Sequence, residues 1–131
     1  MSALADVQSA LLITLRGNTA FSAAVSGIYD GPPPRASYPY VALATGSALD
    51  FSHKTGRGRE LSLALSIYDD GISAQRLIGL MGQAEDILDG GIADPPDWQI
   101  VTCNFQRARV LRNAGAPWAG LLEYRFKVLE I

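Results

Sequence analysis

The sequence predicts an α+β domain in which a mainly antiparallel four-stranded sheet, made of two β-hairpins, carries two main helices on one face. Two observations predict the first hairpin: residues 60–68 alternate without a fault between large apolar and small or polar side chains, and residues 40–45 repeat that alternation. A third predicts the helices, because apolar residues recur at three- and four-residue steps in 3–15 and in 74–89. A length of 131 residues is most simply one domain, covering residues 1–131.

The first predicted element is an amphipathic helix over residues 3–15. Ser2 is placed to cap its first turn, and a Gly-Asn pair is placed to end it. A short second helix over 19–25 and a brief edge strand at 28–29 can follow.

Residues 30–39 contain four prolines, which remove four amide donors in ten residues. The loss of these donors argues against a central strand and predicts an irregular or polyproline-like crossover. The functional alternative is a proline-rich ligand for an aromatic groove, but a single short run inside a domain favours a rigid connector.

Residues 40–68 form the hairpin around which the chain is organised. Its large apolar side chains share one face, the predicted core: Val41, Leu43, Leu61, Leu63, Leu65 and Ile67. The opposite face is unusually small-sided, and its members are Ala42, Ala44, Ser62, Ala64 and Ser66. We expect this small face to allow the close approach of another subunit, with an ordinary wetted face as the alternative.

The predicted connection of this hairpin spans residues 46–59, too long for a two-residue turn. Its tip carries the cations Lys54, Arg57 and Arg59 beside the only histidine, His53. We expect the tip to overhang the domain, either as a solvated loop or as an arm that grips a neighbouring protein. Nothing in the sequence orients the imidazole of His53, which argues against a catalytic or ligand role.

The second long helix follows a break at 69–73 and carries an apolar stripe made of Leu77, Ile78, Met81, Ala84, Ile87 and Leu88. A connector at 90–97 leads to the second hairpin, with strands predicted at 98–113 and 121–131 and a turn over 113–120.

The first strand of the second hairpin changes phase once. Val101, Cys103 and Phe105 share one phase, whereas Ala108 and Val110 share the other. Both groups can face the core only if an extra residue is inserted near Gln106 and Arg107, which predicts a β-bulge. With that bulge, Arg109 lies on the same outer face as Glu123, where a cross-strand ion pair can form.

Composition argues against several classes of protein. No apolar run approaches the roughly 18 to 20 residues needed to cross a bilayer, so we expect no membrane contact. Asp6 stands where a secretory signal needs basic residues, which predicts cytosolic synthesis. A net charge of −2 offers no general attraction for nucleic acid.

The sequence also lacks a catalytic constellation. It has one histidine, one cysteine and no glycine-rich phosphate loop, so we expect no enzyme activity, no cofactor and no metal. Cys103 has no cysteine partner, and its position among strand residues predicts a small buried apolar side chain.

Short motifs stand in a definite order along nearly the whole chain. An amino-terminal helix comes first, and it precedes the motifs Ile28-Tyr-Asp-Gly-Pro-Pro and Tyr38-Pro-Tyr-Val41. An alternating strand then leads through Asp70-Gly71 into a second helix. The last two motifs are Ala108-Arg-Val-Leu-Arg-Asn113 and Glu123-Tyr-Arg-Phe126. This order resembles the tail-completion or tail-terminator proteins of long-tailed bacteriophages, a type that also occurs in phage-like gene-transfer particles.

The resemblance implies an α+β subunit that forms a hexameric ring on the last ring of the tail tube, stops tube growth and offers a surface to the head–tail connector or stopper protein. It implies a structural role at the head-proximal end of the tail in a virion or phage-like particle, with DNA only in transit through the lumen. The turn at 113–120, with Pro117 and Trp118, departs from the shorter acidic turn of the family.

The alternative is a small nucleic-acid-binding or protein-interaction module of α+β type. A nucleic-acid-binding sheet needs exposed aromatic side chains and a basic face. Phe105, Tyr124 and Phe126 are instead in the predicted core phase.

Overall fold

The computed structural model describes residues 2–112 and 114–131. Its elements are the helices α1 (Ala3–Gly17), α2 (Thr19–Ala24) and α3 (Gln75–Asp89), and the strands β1 (Ile28–Tyr29), β2 (Tyr40–Asp50), β3 (Gly58–Asp69), β4 (Trp98–Leu111) and β5 (Trp118–Glu130). The strands form one sheet in the order β1-β2-β3-β5-β4. The α+β class is confirmed, but the prediction of four strands is wrong because β1 adds a fifth.

The central strand, β3, pairs with a neighbour on both sides along most of its length. It is antiparallel to β2 from Arg59 to Tyr68 and to β5 from Gly58 to Asp69. The predicted core face of β3 is confirmed, since Leu61, Leu63, Leu65 and Ile67 are all 3% exposed or less. The strict alternation of this strand therefore fixes which side of the sheet the helices cover.

Helices α1 and α3 pack on that side of the sheet, as predicted. The amide of Ala5 donates to the hydroxyl of Ser2 at 3.2 Å, which confirms the predicted cap. At the other end of α1, the Arg16 guanidinium donates two hydrogen bonds to the carbonyl of Ile28, at 3.0 and 2.6 Å. Arg16 thus ties α1 to β1.

Strand β1 runs parallel to β2, which makes the sheet mixed instead of purely antiparallel. Ile28 pairs with Val41 and is 6% exposed, so it belongs to the core. Two residues are too few for a periodic pattern, which is why the sequence indicated only a possible edge strand here.

The first hairpin is longer than the sequence predicted. Strand β2 continues to Asp50, so the connection spans 51–57 instead of 46–59. Leu43 pairs with Leu65 and Thr45 with Ala64, which leaves Ala44 as an extra residue in a β-bulge. The bulge shifts the alternation of apolar and polar side chains by one position. The second half of the strand therefore does not continue the period-two pattern of the first half, and the pattern alone does not predict it.

The second hairpin contains two bulges. Phe105 pairs with Tyr124 and Arg107 with Glu123, so Gln106 is the extra residue and the predicted bulge is confirmed. A second register shift leaves Val101 unpaired between Ile100 and Thr102. The prediction that Val101 faces the core is wrong, because the side chain is 48% exposed. Asn113, predicted at the junction of strand and turn, lies outside the described residues.

Helix α3 covers β3 and β5 but only the beginning of β4. A Cβ atom on Gly120 would lie 2.5 Å from the Met81 sulfur, so the absence of a side chain lets α3 approach β5 closely. On β4, Cys103 lies beneath α3, with its sulfur 4.0 Å from the Leu88 carbonyl oxygen.

Beyond Cys103 the helical layer ends. Phe105, Ala108 and Val110 pair with residues of β5 that point toward the helices, yet all three are exposed. Their predicted place in the core is therefore wrong. On α3, Ile78 is 55% exposed, and Leu80 is buried although the predicted stripe did not include it.

A buried carboxylate joins the end of β3 to α3. The side chain of Asp69 is fully buried and accepts hydrogen bonds from Nε of Arg76, at 2.8 Å, and from the other end of the guanidinium. Nearby, the Trp118 indole donates to the Gly71 carbonyl at 3.0 Å. The hydrogen bond from Arg76 lowers the pKa of Asp69 below its ordinary range.

We expect Asp69→Asn to lower the free energy of unfolding at neutral pH by about 2 kcal/mol, less than for a fully buried ion pair because Arg76 is half-exposed. Because the pKa of Asp69 is lower in the folded than in the unfolded chain, the ionised carboxylate stabilises the protein. This contribution is complete at pH values above the ordinary Asp pKa of about 3.9, and it disappears as the pH falls through the lowered value. The difference between wild type and variant should therefore shrink below about pH 4. Urea unfolding at several pH values measures it.

The matched control for this variant is Asp70→Asn. Asp70 lies 3.7 Å from the same guanidinium, but its side chain is 61% exposed. The control should change stability by less than about 0.5 kcal/mol. Equal effects of the two substitutions, or a difference that does not depend on pH, would contradict the role given to Asp69.

We also expect Cys103 to react slowly with alkylating reagents in the folded protein. The side chain is half-buried, and burial followed by the nearby charge of Asp89 raises the pKa of the thiol to about 11. Because the thiolate is the reactive form, alkylation near pH 8 should be about 100-fold slower than in the unfolded chain. Mass spectrometry after timed labelling measures this ratio, and comparable rates in buffer and in urea would disprove the burial.

Candidate assembly surfaces

Three surfaces of the folded chain offer contacts to other molecules. The first is the hairpin tip, residues 51–57. The second is the open face, the side of the sheet opposite the helices. The third is the α3–β4 flank, where the sheet extends beyond the helical layer; it consists of Ile78, Glu85 and Asp89 of α3 and Phe105, Ala108 and Val110 of β4. The three β4 residues are in core phase, so their exposure is not evident from the sequence pattern.

The hairpin tip has a defined backbone. His53 and Gly56 exchange hydrogen bonds at 2.9 and 3.2 Å, and the amide of Phe51 donates to the Gly58 carbonyl at 2.9 Å. The Ser52 hydroxyl accepts from the amide of Gly58 at 3.1 Å. These bonds make the tip an ordered arm at the end of the strands.

The predicted positive charge of the tip is partly neutralised within the chain. Arg57 lies 3.6 Å from Glu130, and Arg59 lies 3.2 Å from Asp50. Lys54 is exposed and has no acidic partner within 4.0 Å among the described residues. Lys54 is therefore the cation of this arm that is most available to another molecule.

His53 is exposed at the tip, with its Nδ1 3.4 Å from the Thr55 hydroxyl. Within the described residues no cluster of three or more histidine, cysteine or acidic side chains is arranged to hold a metal ion. This environment gives no geometric support for a catalytic or ligand role of His53.

Three members of the predicted small face are buried within the chain. Ala42, Ala64 and Ser66 are 2, 4 and 5% exposed, which corrects the expectation that they present a free surface. Ala44, the bulged residue, and Ser62 are exposed. Only these two are accessible without a rearrangement of their neighbours.

An aromatic cluster accounts for part of this burial. The rings of Tyr40 and Tyr68 stack at 5.1 Å, and Tyr29 meets Tyr40 edge-on at 6.1 Å. Ala42 pairs directly with Tyr29 and Ser66, so it lies among large side chains on the open face. Small residues at these positions leave room for the tyrosines.

A hollow of about 300 Å³ lies farther along the open face, and Ser47, Ser62, Ala64, Gln106, Glu123 and Arg125 are among its lining residues. Ser62 and Ala64 therefore line a concave surface. The bulged residue Gln106 forms part of the rim, which links the hollow to the irregularity of β4.

Charges on the open face are arranged in cross-strand pairs. Arg107 donates to both carboxylate oxygens of Glu123, at 2.6 and 3.3 Å, and this bond lowers the pKa of Glu123. The prediction that Arg109 shares the outer face of Glu123 is confirmed, but Arg107 forms the ion pair, because Arg107 pairs with Glu123 and Arg109 pairs with Leu121. Arg125 lies 3.4 Å from Glu60. This pairing does not produce the basic surface that nucleic-acid binding requires.

The α3–β4 flank combines exposed apolar side chains with acids. Ile78, Gly82, Glu85 and Asp89 recur at helical spacing and therefore share one side of α3. Burial, followed by the charges of Glu85 and Asp89, raises the pKa of Tyr124 on β5, and burial followed by the charge of Asp89 raises the pKa of Cys103 on β4. Exposure along the flank is 55% for Ile78, 42% for Phe105 and 38% for Val110.

None of the helices in the described part of the chain is long and apolar enough to span a bilayer.

A family model described as tail completion protein gp17 matches residues 9–129. A chain from the virion of a native gene transfer agent particle is similar with a TM-score of 0.85 and 24% identity, over 98% of this chain and 99% of that chain. The gp17 protein of bacteriophage SPP1 is similar with a TM-score of 0.65 and 14% identity, over 93% and 88% of the two chains. No curated protein matches the chain.

Proposed function

Because the chain belongs to the family of tail completion proteins gp17, we propose that it caps the tail tube as a ring, ends tube polymerisation and joins the tail to the head–tail connector. The observation that carries this proposal is the family match over residues 9–129. The likeness of fold to a chain of a gene transfer agent virion, over nearly the full length of both chains, supports it.

In this proposal the protein is a structural component at the head-proximal end of the tail of a phage or phage-like particle. Its partners are further copies of itself in a hexameric ring, the tail tube protein, and the connector or stopper protein. DNA passes through the lumen of the ring without being retained. The role is one of assembly, without catalysis or a cofactor.

The surfaces of the fold suit a ring. Cyclic assemblies larger than a dimer use heterologous contacts, in which one patch of a subunit meets a different patch of the next. The chain offers an ordered arm at 51–57 and several other surfaces far from it. The interface residues proposed from the sequence are His53, Lys54, Arg57 and Arg59 at the arm, and Ala44 and Ser62 as the accessible part of the small face.

Loss of the protein should uncouple heads from tails. In cells that produce the particle without this chain, we expect DNA-filled heads that lack tails, together with free tails of irregular length, because nothing stops tube growth. Negative-stain microscopy of the particles measures both features, and resupply of the chain should restore joined particles. Normal particles with tails of uniform length in its absence would disprove the proposed function.

The hairpin tip should be needed for assembly but not for folding. Residues 52–57 can be replaced by Asn-Gly. Phe51 and Gly58, which are hydrogen-bonded across the hairpin, are then connected by a two-residue turn of the type that hairpins prefer. We expect stability to change by no more than about 1 kcal/mol, since the Arg57–Glu130 ion pair that is lost is exposed. Ring formation, and association with the tail tube protein, should be lost.

Native mass spectrometry of the variant, alone and mixed with the tail tube protein, measures this loss, and thermal unfolding verifies the fold. Arg35→Ala is the control, because it removes one exposed charge in the 30–39 crossover, outside the arm. Unchanged assembly of the shortened protein would contradict a role for the tip.

A further inference from the structure

At the α3–β4 flank, side chains that continue the hydrophobic core are not covered by a helix. Phe105, Ala108 and Val110 lie on the helix side of β4, where side chains of the neighbouring strand are buried, yet all three remain exposed. Gly82, on the same side of α3 as Ile78, is exposed and has no side chain that could extend toward this strip. An apolar strip that continues a core and lacks a cover is suited to contact with another protein.

The same flank carries unpaired negative charge. Glu85 and Asp89 have no basic partner within 4.0 Å among the described residues, and the last turn of α3 contains no basic residue. Carboxylates near the carboxyl end of a helix are unfavourable because the helix dipole is negative there. A cation supplied from outside would offset this repulsion.

A buried polar group lies at the centre of the flank. The hydroxyl of Tyr124 has no hydrogen-bond partner within the described part of the chain, and Tyr124 is 3% exposed. Its ring meets Phe105 edge-on at 5.7 Å, directly beneath the exposed strip. The hydroxyl itself lies below the surface, so the flank offers an incoming chain apolar contact with Phe105 and not a hydrogen bond to Tyr124.

The hairpin tip is complementary to this surface. Leu49 is 65% exposed beside the tip, and Phe51 is 36% exposed within it. Residues 49–59 contain three cations, Lys54, Arg57 and Arg59, and one acid, Asp50. Because Arg57 and Arg59 are paired with Glu130 and Asp50, the arm offers apolar side chains and the positive charge of Lys54, whereas the flank offers apolar side chains and net negative charge.

The tip cannot reach the apolar end of the flank on its own chain. Gly58 pairs with Leu129 near one end of β5, whereas Val110 pairs with Gly120 near the other. Nine residues of β5 separate these pairs, a distance of about 30 Å along the strand. Contact between tip and flank therefore requires two copies.

We propose that the hairpin tip of one copy docks on the α3–β4 flank of the next copy, with Leu49 and Phe51 on the apolar strip and Lys54 toward the acids of α3. This contact is heterologous, because it joins two different patches, and repetition of it around an axis closes a ring. The inference rests on the proposed function for the ring itself and adds which surfaces meet in it.

Intermolecular paramagnetic broadening tests the contact directly. A nitroxide is attached to Thr55→Cys in a Cys103→Ala background, and this protein is mixed with deuterated, ¹⁵N-labelled Cys103→Ala protein that carries no spin label. We expect amide signals of 78–89 and 103–110 to lose intensity, while those around Ser47 and Ser62 on the open face keep theirs. Broadening on the open face instead, or none at the highest soluble concentration, would overturn the proposal.

Charge reversal gives an independent readout. Lys54→Glu and Glu85→Lys should each weaken self-association about 2- to 5-fold, as expected for an exposed ion pair, and the double variant should recover most of the loss. Asp30→Lys is the control, because Asp30 is an exposed acid outside the flank. Analytical ultracentrifugation measures the association. Absence of recovery in the double variant would contradict the pairing.

The two proposals can fail separately. If rings form on tail tubes but broadening appears only on the open face, the docking contact is wrong and the proposed function stands. If particles assemble normally without the protein, the proposed function is wrong, whichever surfaces the copies use.

Discussion

Burial of one face of β3 is the constraint on which the rest of the fold depends. Its four large side chains lie beneath the helices, and its two edges are paired with β2 and β5 over most of their length. A slip of one residue in either pairing would carry this apolar face to the opposite side of the sheet, so both registers are strongly determined. The Asp69–Arg76 ion pair then fixes where β3 ends and how the chain turns into α3. Helix position, strand order and the direction of the hairpin tip all follow from this one strand.

The β-bulges determine which side chains of the sheet lie at the molecular surface. Ala44 shifts β2 by one position and extends the first hairpin toward its tip, whereas Gln106 places Arg107 opposite Glu123 and opens a hollow on the open face. Bulges also bend a strand and increase its twist, which makes an edge less suited to uncontrolled pairing. In β4 the two bulges lie in the edge strand itself. The irregular positions of the sheet are therefore close to the surfaces proposed to meet other proteins.

The elements with strong periodicity could be predicted from the sequence: α1 with its Ser2 cap, the core face of β3, and the Gln106 bulge that a change of phase requires. Other features depend on tertiary contacts that leave no local pattern. The width of the helical layer decides that Phe105 and Val110 are exposed although their phase is that of the core. The burial of Ala42 depends on a tyrosine, Tyr29, that comes from a two-residue strand. The sequence shows which residues of the tip are cations, but it does not show that Arg57 and Arg59 form ion pairs with Glu130 and Asp50, because these pairs depend on the three-dimensional fold.

The sheet extends beyond the helical layer over the second half of β4, and this mismatch has a consequence for how the protein matures. In a ring built as proposed, the β4 edge acquires its full protection from solvent only when a neighbour arrives, so the stability of that region depends on subunit concentration. The free chain can then remain folded through β3 and β5 while the exposed part of β4 opens readily. Assembly would thus act as the last folding step of each subunit, and a chain that misses its place in the ring would keep an edge open to the cell's proteases.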